Sequence, residues 1–184
     1  MDRARLEGLF YLAGFALCIP AANWLIGHVG TSCAPGGPCV IPVAPGLTAP
    51  SGVIMVGLAL VLRDLVQRRL GLAAASLAIL GGAALSAVLA PPSLIVASAV
   101  AFLVSEFADL AVYTPLQQRR LVLAVVASSI VGLVVDSTVF LQLAFGDLSF
   151  LLGQIVGKAW MVLLSIPVVR WLRDRDARLG LVAA

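Results

Sequence analysis

The sequence predicts an all-α membrane protein: a bundle of six transmembrane helices forming one domain over residues 1–184, with both termini cytoplasmic. Three observations carry that expectation. Apolar residues fill 61% of the 184 positions and the mean hydropathy is +1.10, more than a soluble domain of this size can hide behind a polar exterior. The apolar residues fall into six stretches, each close to the roughly 20 residues that a helix needs to cross a hydrocarbon core of about 30 Å. Finally, the cations in the connecting segments lie on one side.

The first stretch, residues 6–27, follows Arg3 and Arg5 and has the look of a signal peptide. Its length, the absence of a small-x-small exit, and Asn23 and Trp24 near its end mark it as a retained helix. Cys18 inside it reads as a small packing residue. The only long connection runs from His28 to about Ala49 and is rich in Pro and Gly. It carries CAPGGPC, whose Cys33 and Cys39 could close a small disulfide loop on an oxidising face if their geometry allows. The second and third stretches, 50–67 and 70–90, nearly touch around Arg68, Arg69 and Gly71. The third, with Ala73–Ala75 and Gly81–Ala84, has no charge and reads as a packing helix or a docking face. Stretches 92–115, 121–144 and 148–171 complete the set. Pro20 and Pro167 should kink their helices, and Gly153-x-x-x-Gly157 permits the close approach of ordinary packing.

Orientation follows from the positive-inside rule. Arg3 and Arg5 precede the first helix, and Arg63, Arg68 and Arg69 surround the second connection. Arg119 and Arg120 occupy the fourth, and Arg170, Arg173, Arg175 and Arg178 close the chain. Eleven of the twelve Lys and Arg thus lie on one side, and the first, third and fifth connections hold none. The net charge of +3 reports orientation and anionic lipid and requires no nucleic-acid partner. The expected location is the cell (inner or plasma) membrane, as a multi-pass protein.

The informative residues are ionisable ones at membrane depth. Glu106 and Asp109 fall in the fourth stretch, Asp136 in the fifth and Lys158 in the sixth. Four such groups without partners would cost on the order of 10–14 kcal/mol, so they must face inward. Helical spacing agrees: Phe102 and Tyr113 extend the Glu106 and Asp109 face, Asp136 shares a face with Phe140 and Ser129, and Gln154 shares one with Lys158 and Met161. Lys158 could pair with Asp136 or Glu106 as a packing device. Three acids against one base nevertheless leave two carboxylates in need of a ligand, an ion or water, and a polar cavity is the simplest answer. Asp64, close to Arg63 and Arg68, reads as half of a surface ion pair near the cytoplasmic edge.

Three runs, SEFADLAVYTPLQQRR, SSIVGLVVDSTVFLQLAFG and GQIVGKAWMVLLSIPVV, resemble the VUT family of queuosine-precursor transporters, and the resemblance extends over nearly the whole chain. It implies import of 7-cyano- or 7-aminomethyl-7-deazaguanine for tRNA modification. It carries over Asn23, Asp64, Ser105, Asp109, Asp136, Phe140 and Lys158 as site residues. At the end of its second helix the family places Glu and Tyr where this chain has Arg68 and Leu70, and many relatives have Gln where Glu106 stands. The full expected substrate-binding set is Asn23, Phe102, Ser105, Glu106, Asp109, Tyr113, Asp136, Phe140, Gln154 and Lys158, with Trp160 as a further ring for stacking. A carboxylate of Glu106 or Asp109 would accept from the guanine-like edge.

Other classes fit poorly. No nucleotide-binding Walker motif occurs, Gly146 and Asp147 in AFGD lack the GxGD protease context, and no Gly-x-Ser-x-Gly elbow is present. His28 is the only histidine, which argues against a metal site. No enzyme activity and no cofactor are expected. The alternative reading is the substrate-binding subunit of an energy-coupling factor transporter for another vitamin-like or purine-like solute, which would require separate energising subunits. A homodimer is a further partner consistent with the sequence.

Overall fold

A computed structural model describes residues 3–33, 37–90 and 92–180; the side chain of Arg3, counted above among the inward cations, lies outside the described residues. Helix α1 (Arg3–His28) leads into strands β1 (Ser32–Cys33), β2 (Cys39–Ala44) and β3 (Leu47–Pro50). Helix α2 (Val53–Leu89), a 3-10 turn (Pro92–Leu94), α3 (Ile95–Leu116), α4 (Leu121–Phe145) and α5 (Leu151–Leu179) follow. Each helix is long and apolar enough to cross a membrane, so the chain is a multi-pass membrane protein. Large apolar side chains such as Phe10, Leu17 and Val88 point outward, as lipid-facing positions should.

The described residues thus contain five helices and five candidate spans, not the six that the hydropathy pattern predicts. The expected helices over 50–67 and 70–90 form one element of 37 residues, α2. The reason is local: no proline interrupts Val53–Leu89, and the Leu, Arg, Gln and Ala residues around the expected break are good helix formers. The single interruption is Gly71, at φ 85° and ψ 173°. A straight helix of this length would reach about 55 Å, well beyond a hydrocarbon core of about 30 Å; α2 bends at Gly71 instead. Gly52, just before α2, packs on the Ala22 carbonyl, and Gly82 near its other end packs on Ile19. Both arms of α2 therefore lie along the same part of α1.

Ion pairs hold the bend in place. Arg69 reaches Glu7 of α1 at 3.1 Å and Asp176 of α5 at 2.6 Å, Arg68 reaches Asp176 at 2.8 Å, and Arg175 reaches Glu7 at 2.6 Å. The start of α1, the Gly71 bend and the end of α5 consequently share one end of the bundle, the elbow end. Arg68 and Arg69, expected in a polar connection, are buried in this cluster, whereas Arg119 and Arg120 are exposed in the α3–α4 turn.

At the opposite end, the segment expected to be an irregular loop forms an antiparallel sheet in the order β1-β2-β3. Cys33 pairs with Cys39 in register and is disulfide-bonded to it. The sheet leans on α5: the Trp160 indole N–H donates to the Val43 carbonyl at 2.8 Å, and Gly153 and Gly157 pack against Thr48 and Val43. The Gly153-x-x-x-Gly157 pair thus receives the sheet. The main apolar core, including Leu60, Tyr113, Val125, Leu133 and Val162, joins the first arm of α2 to α3, α4 and α5.

Valine at position 71 would be forced into a backbone region that L residues avoid, at a cost of about 1–3 kcal/mol. Alanine at Gly81, which has open space around it, should be neutral or stabilising by about 0.5–1 kcal/mol. Thermal unfolding in detergent should therefore show a lower midpoint for Gly71→Val and none of that loss for Gly81→Ala. Equal midpoints would sink the bend as a determinant of the fold.

Candidate binding cleft

A cleft of about 120 Å³ lies among α1, both arms of α2, α3, α4 and α5, large enough for about ten waters at 10–15 Å³ each. Helical periodicity explains its lining. Asn23 comes from α1 on the face of Ile19, Ala22 and Ile26; Phe102, Ser105 and Glu106 come from one face of α3. Asp136 and Phe140, four apart, come from α4, and Gln154 and Lys158, four apart, from α5. The lining extends from Ile26, Pro50 and Leu94 near the sheet to Glu106 at mid-bundle. On α2, Gly57 leaves the backbone bare where the Lys158 backbone crosses; a Cβ there would sit 2.6 Å from the Lys158 carbonyl oxygen. That contact is what lets α5 bring Lys158 into the bundle.

Lys158 is 1% exposed and uses all three of its donors. Its Nζ donates to Asp136 Oδ2 at 2.6 Å, Ser137 Oγ at 2.7 Å and Gln154 Oε1 at 2.9 Å. Ser105 Oγ donates to the other oxygen of Asp136 at 3.4 Å. Asn23 Nδ2 donates to the Ile19 carbonyl at 3.0 Å. Phe102 rests on Phe15 with centroids 5.9 Å apart, and Phe140 meets Phe145 edge-on at 6.0 Å. The cleft therefore combines ring faces with a carboxylate, an acid–base pair and an amide, and a flat polar solute can use all of these.

Eight of the ten sequence-expected site residues line this space; Asp109 and Tyr113 do not. Both are fully buried one tier closer to the elbow end. There Arg63 holds three carboxylates: Nη1 meets Asp64 Oδ1 at 2.9 Å, Nε meets Glu106 Oε2 at 2.9 Å, and Nη2 contacts Asp109 Oδ1. Ser128 Oγ donates to Asp64 Oδ2 at 3.0 Å, and the Tyr113 ring lies 6.0 Å from the guanidinium carbon. Tyr113 thus packs under a cation, away from any solute in the cleft. Trp160 is also no stacking ring for the cleft, since it sits at the sheet on the outside of α5.

Two expectations change with this geometry. Arg63 is not a connection cation, and Asp64 is not in a surface pair: both are 0% exposed. Arg63 is a second buried base, but it brings the buried acid Asp64 with it, so the excess of two acids over bases inferred from Lys158 alone is unchanged. The signal was present, since Arg63 lies inside the apolar stretch 50–67 and a full turn before Gln67; proximity in sequence to Arg68 and Arg69 hid it. Ser137 and Ser128, partners of Lys158 and Asp64, carried no comparable signal because serine is common in membrane helices. Among the described residues, no group of three or more His, Cys, Asp or Glu is placed to hold a metal ion.

Removing one partner of a buried ion pair strands the other charge, at about 3–5 kcal/mol, whereas removing both is far milder. Lys158→Met should therefore destabilise the protein by that amount, and Lys158→Met with Asp136→Leu should recover most of the loss. Unfolding titrations in mixed micelles measure both. A double variant no more stable than the single would remove Asp136 as the counter-ion.

Residues 83–172 match the family described as "Putative vitamin uptake transporter". The matched part covers the end of α2, all of α3 and α4 and most of α5, and so includes Glu106, Asp109, Asp136 and Lys158 but neither Arg63 nor Asp64. Neither a curated protein nor a solved structure matches the chain. At the family level the match supports transport rather than catalysis as the work of this chain.

Proposed function

We propose that the chain imports queuosine precursors, 7-cyano- or 7-aminomethyl-7-deazaguanine, across the cell membrane for tRNA modification. The observation that carries this reading is the cleft at membrane depth, where ring faces and hydrogen-bonding side chains converge in a bundle otherwise built of apolar residues. A deazaguanine base is flat, so Phe102 and Phe140 offer it stacking surfaces. Its guanine-like edge carries neighbouring N–H donors suited to a carboxylate, and Glu106 presents one to the cleft. Lys158 and Gln154 have donors for the ring carbonyl, provided Lys158 releases one of its present acceptors. The family-level match to vitamin uptake transporters supports the transport class, and the substrate is our reading of the cleft's chemistry together with the sequence resemblance. In this reading both termini, with the elbow end, face the cytoplasm, and the sheet end faces outward, where the Cys33–Cys39 disulfide would be chemically stable.

The test uses cells that can neither make nor import the precursors, expressing this chain and fed either deazaguanine base. Queuosine should reappear in their tRNA. Glu106→Gln, replacing a charged hydrogen bond worth about 1.5–3 kcal/mol, should weaken uptake by roughly 10- to 100-fold while the protein still reaches the membrane. No queuosine despite confirmed membrane expression, or unchanged uptake with Gln at 106, would count against the substrate assignment.

A further inference from the structure

An excess of negative charge begins at Glu106 on the floor of the cleft and extends into the tier below it. Lys158 and Asp136 balance one another. Arg63 faces Asp64, Glu106 and Asp109, all nearly or wholly shielded from solvent, so one positive charge meets three carboxylates in the low-dielectric centre of the bundle. Ser128 from α4 and Tyr113 from α3 complete the surroundings and bring no positive charge; Arg68, the next cation along α2, is engaged by Asp176.

Two features point to what relieves this excess. First, Asp64 and Asp109 meet the two terminal nitrogens of the same guanidinium, Asp64 Oδ1 on Nη1 at 2.9 Å and Asp109 Oδ1 on Nη2, and Asp109 Oδ2 has no hydrogen-bond partner among the described residues. Three carboxylates around one guanidinium in the low-dielectric centre of the bundle cannot all stay ionised at low cost, and a proton held by the Asp64 and Asp109 pair relieves the conflict. Second, the buried Tyr113 hydroxyl, Gln67 Oε1 and Gln117 Oε1 also lack hydrogen-bond partners among the described residues. Gln67 stands one helical turn beyond Arg63 on α2, and Gln117, which caps the end of α3, one turn beyond Tyr113, each toward the elbow end. Buried polar groups without protein partners are where ordered water sits. These atoms lie on the elbow-end side of the acidic pair, as Glu106 lies on its cleft side, and offer stations for a proton between the pair and the elbow end.

We infer that Asp64 and Asp109, braced by Arg63, form a proton-binding site that couples solute import to inward proton movement. The proton enters from the cleft by way of Glu106, rests between the two carboxyl groups and leaves past Tyr113, Gln67 and Gln117. Only O–H bonds form and break, and the driving force is the proton gradient across the membrane. This inference rests on the importer reading above, and the experiment separates the two.

Purified protein is reconstituted into vesicles containing a pH-sensitive dye, with the membrane potential clamped by potassium and valinomycin, and labelled 7-cyano-7-deazaguanine is added outside. That base is uncharged and brings no ionisable amine. The expected result is acidification of the lumen in step with entry of the base. In Asp64→Asn the acidification that accompanies each molecule of base entering should be lost, and acidification at the wild-type ratio would overturn the coupling role of the pair. Entry of the base without acidification by the wild-type protein overturns the coupling while leaving the importer reading intact. If no base enters, the substrate assignment fails, and the site is decided without a solute by infrared spectroscopy of the purified protein across pH. A carboxylic-acid carbonyl band that titrates in the wild type and disappears in both Asp64→Asn and Asp109→Asn supports the site; its absence from the wild type, or its persistence in both variants, overturns it.

Discussion

A guanidinium that touches three carboxylates from two helices constrains this molecule more than any other contact. Arg63 and Asp64 come from the first arm of α2, Glu106 and Asp109 from α3, and Ser128 of α4 binds the same group of side chains. In lipid there is no apolar driving force between helices, so packing and buried polar contacts must define their arrangement. Withdrawing any one helix would expose the remaining charges to hydrocarbon, at about 2.5–3.5 kcal/mol each by insertion scales. Because Glu106 belongs to this cluster and to the cleft, the cluster also sets the floor on which a solute would rest.

The fold depends on a second device that works by geometry rather than charge. Gly71 turns α2 back along α1, which brings Arg68 and Arg69 to the start of α1 and the end of α5. Asp176 accepts from both arginines; one carboxylate thus ties the bend to the last helix. Among the described residues the opposite end shows no such network; it is braced by the sheet, whose backbone rests on Gly153 and whose Val43 carbonyl accepts from Trp160. One end of the bundle is closed by ions and the other by a small disulfide-bonded sheet, and the cleft lining extends from the sheet end inward.

What the sequence made legible follows from which physical signals are local. Membrane insertion was readable, because hydropathy sums over a window, and so was the inward direction of Glu106, Asp109, Asp136 and Lys158, because hydrocarbon forbids the alternative. The number of helices was not, since a lone glycine in a run of good helix formers does not announce whether the two arms beside it stand apart or run into one kinked element, as they do at Gly71. The strands in 32–50 escaped for a different reason: Pro42 interrupts CVIPVA, and the strand's partners lie across the disulfide and on α5. Arg63 illustrates a third limit, because its role depends on Asp109, 46 positions away in the chain, and such a contact has no signature in either segment alone.

The placement of that arginine bears on how the match over residues 83–172 should be used. The matched part supplies four of the six ionisable groups at the centre, Glu106, Asp109, Asp136 and Lys158, and taken alone it holds three acids and one base. The unmatched part supplies Arg63 and Asp64, one charge of each sign, and so leaves the excess of two negative charges unchanged. It changes their distribution: Lys158 and Asp136 become a balanced pair in the cleft, and the whole excess gathers around Arg63, beneath the solute space and beside the partnerless polar atoms that lead to the elbow end. Lys158 paired with Asp136 leaves Glu106 as the one cleft carboxylate drawn into the Arg63 cluster, so the uncompensated charge begins at the floor of the cleft and extends one tier below it.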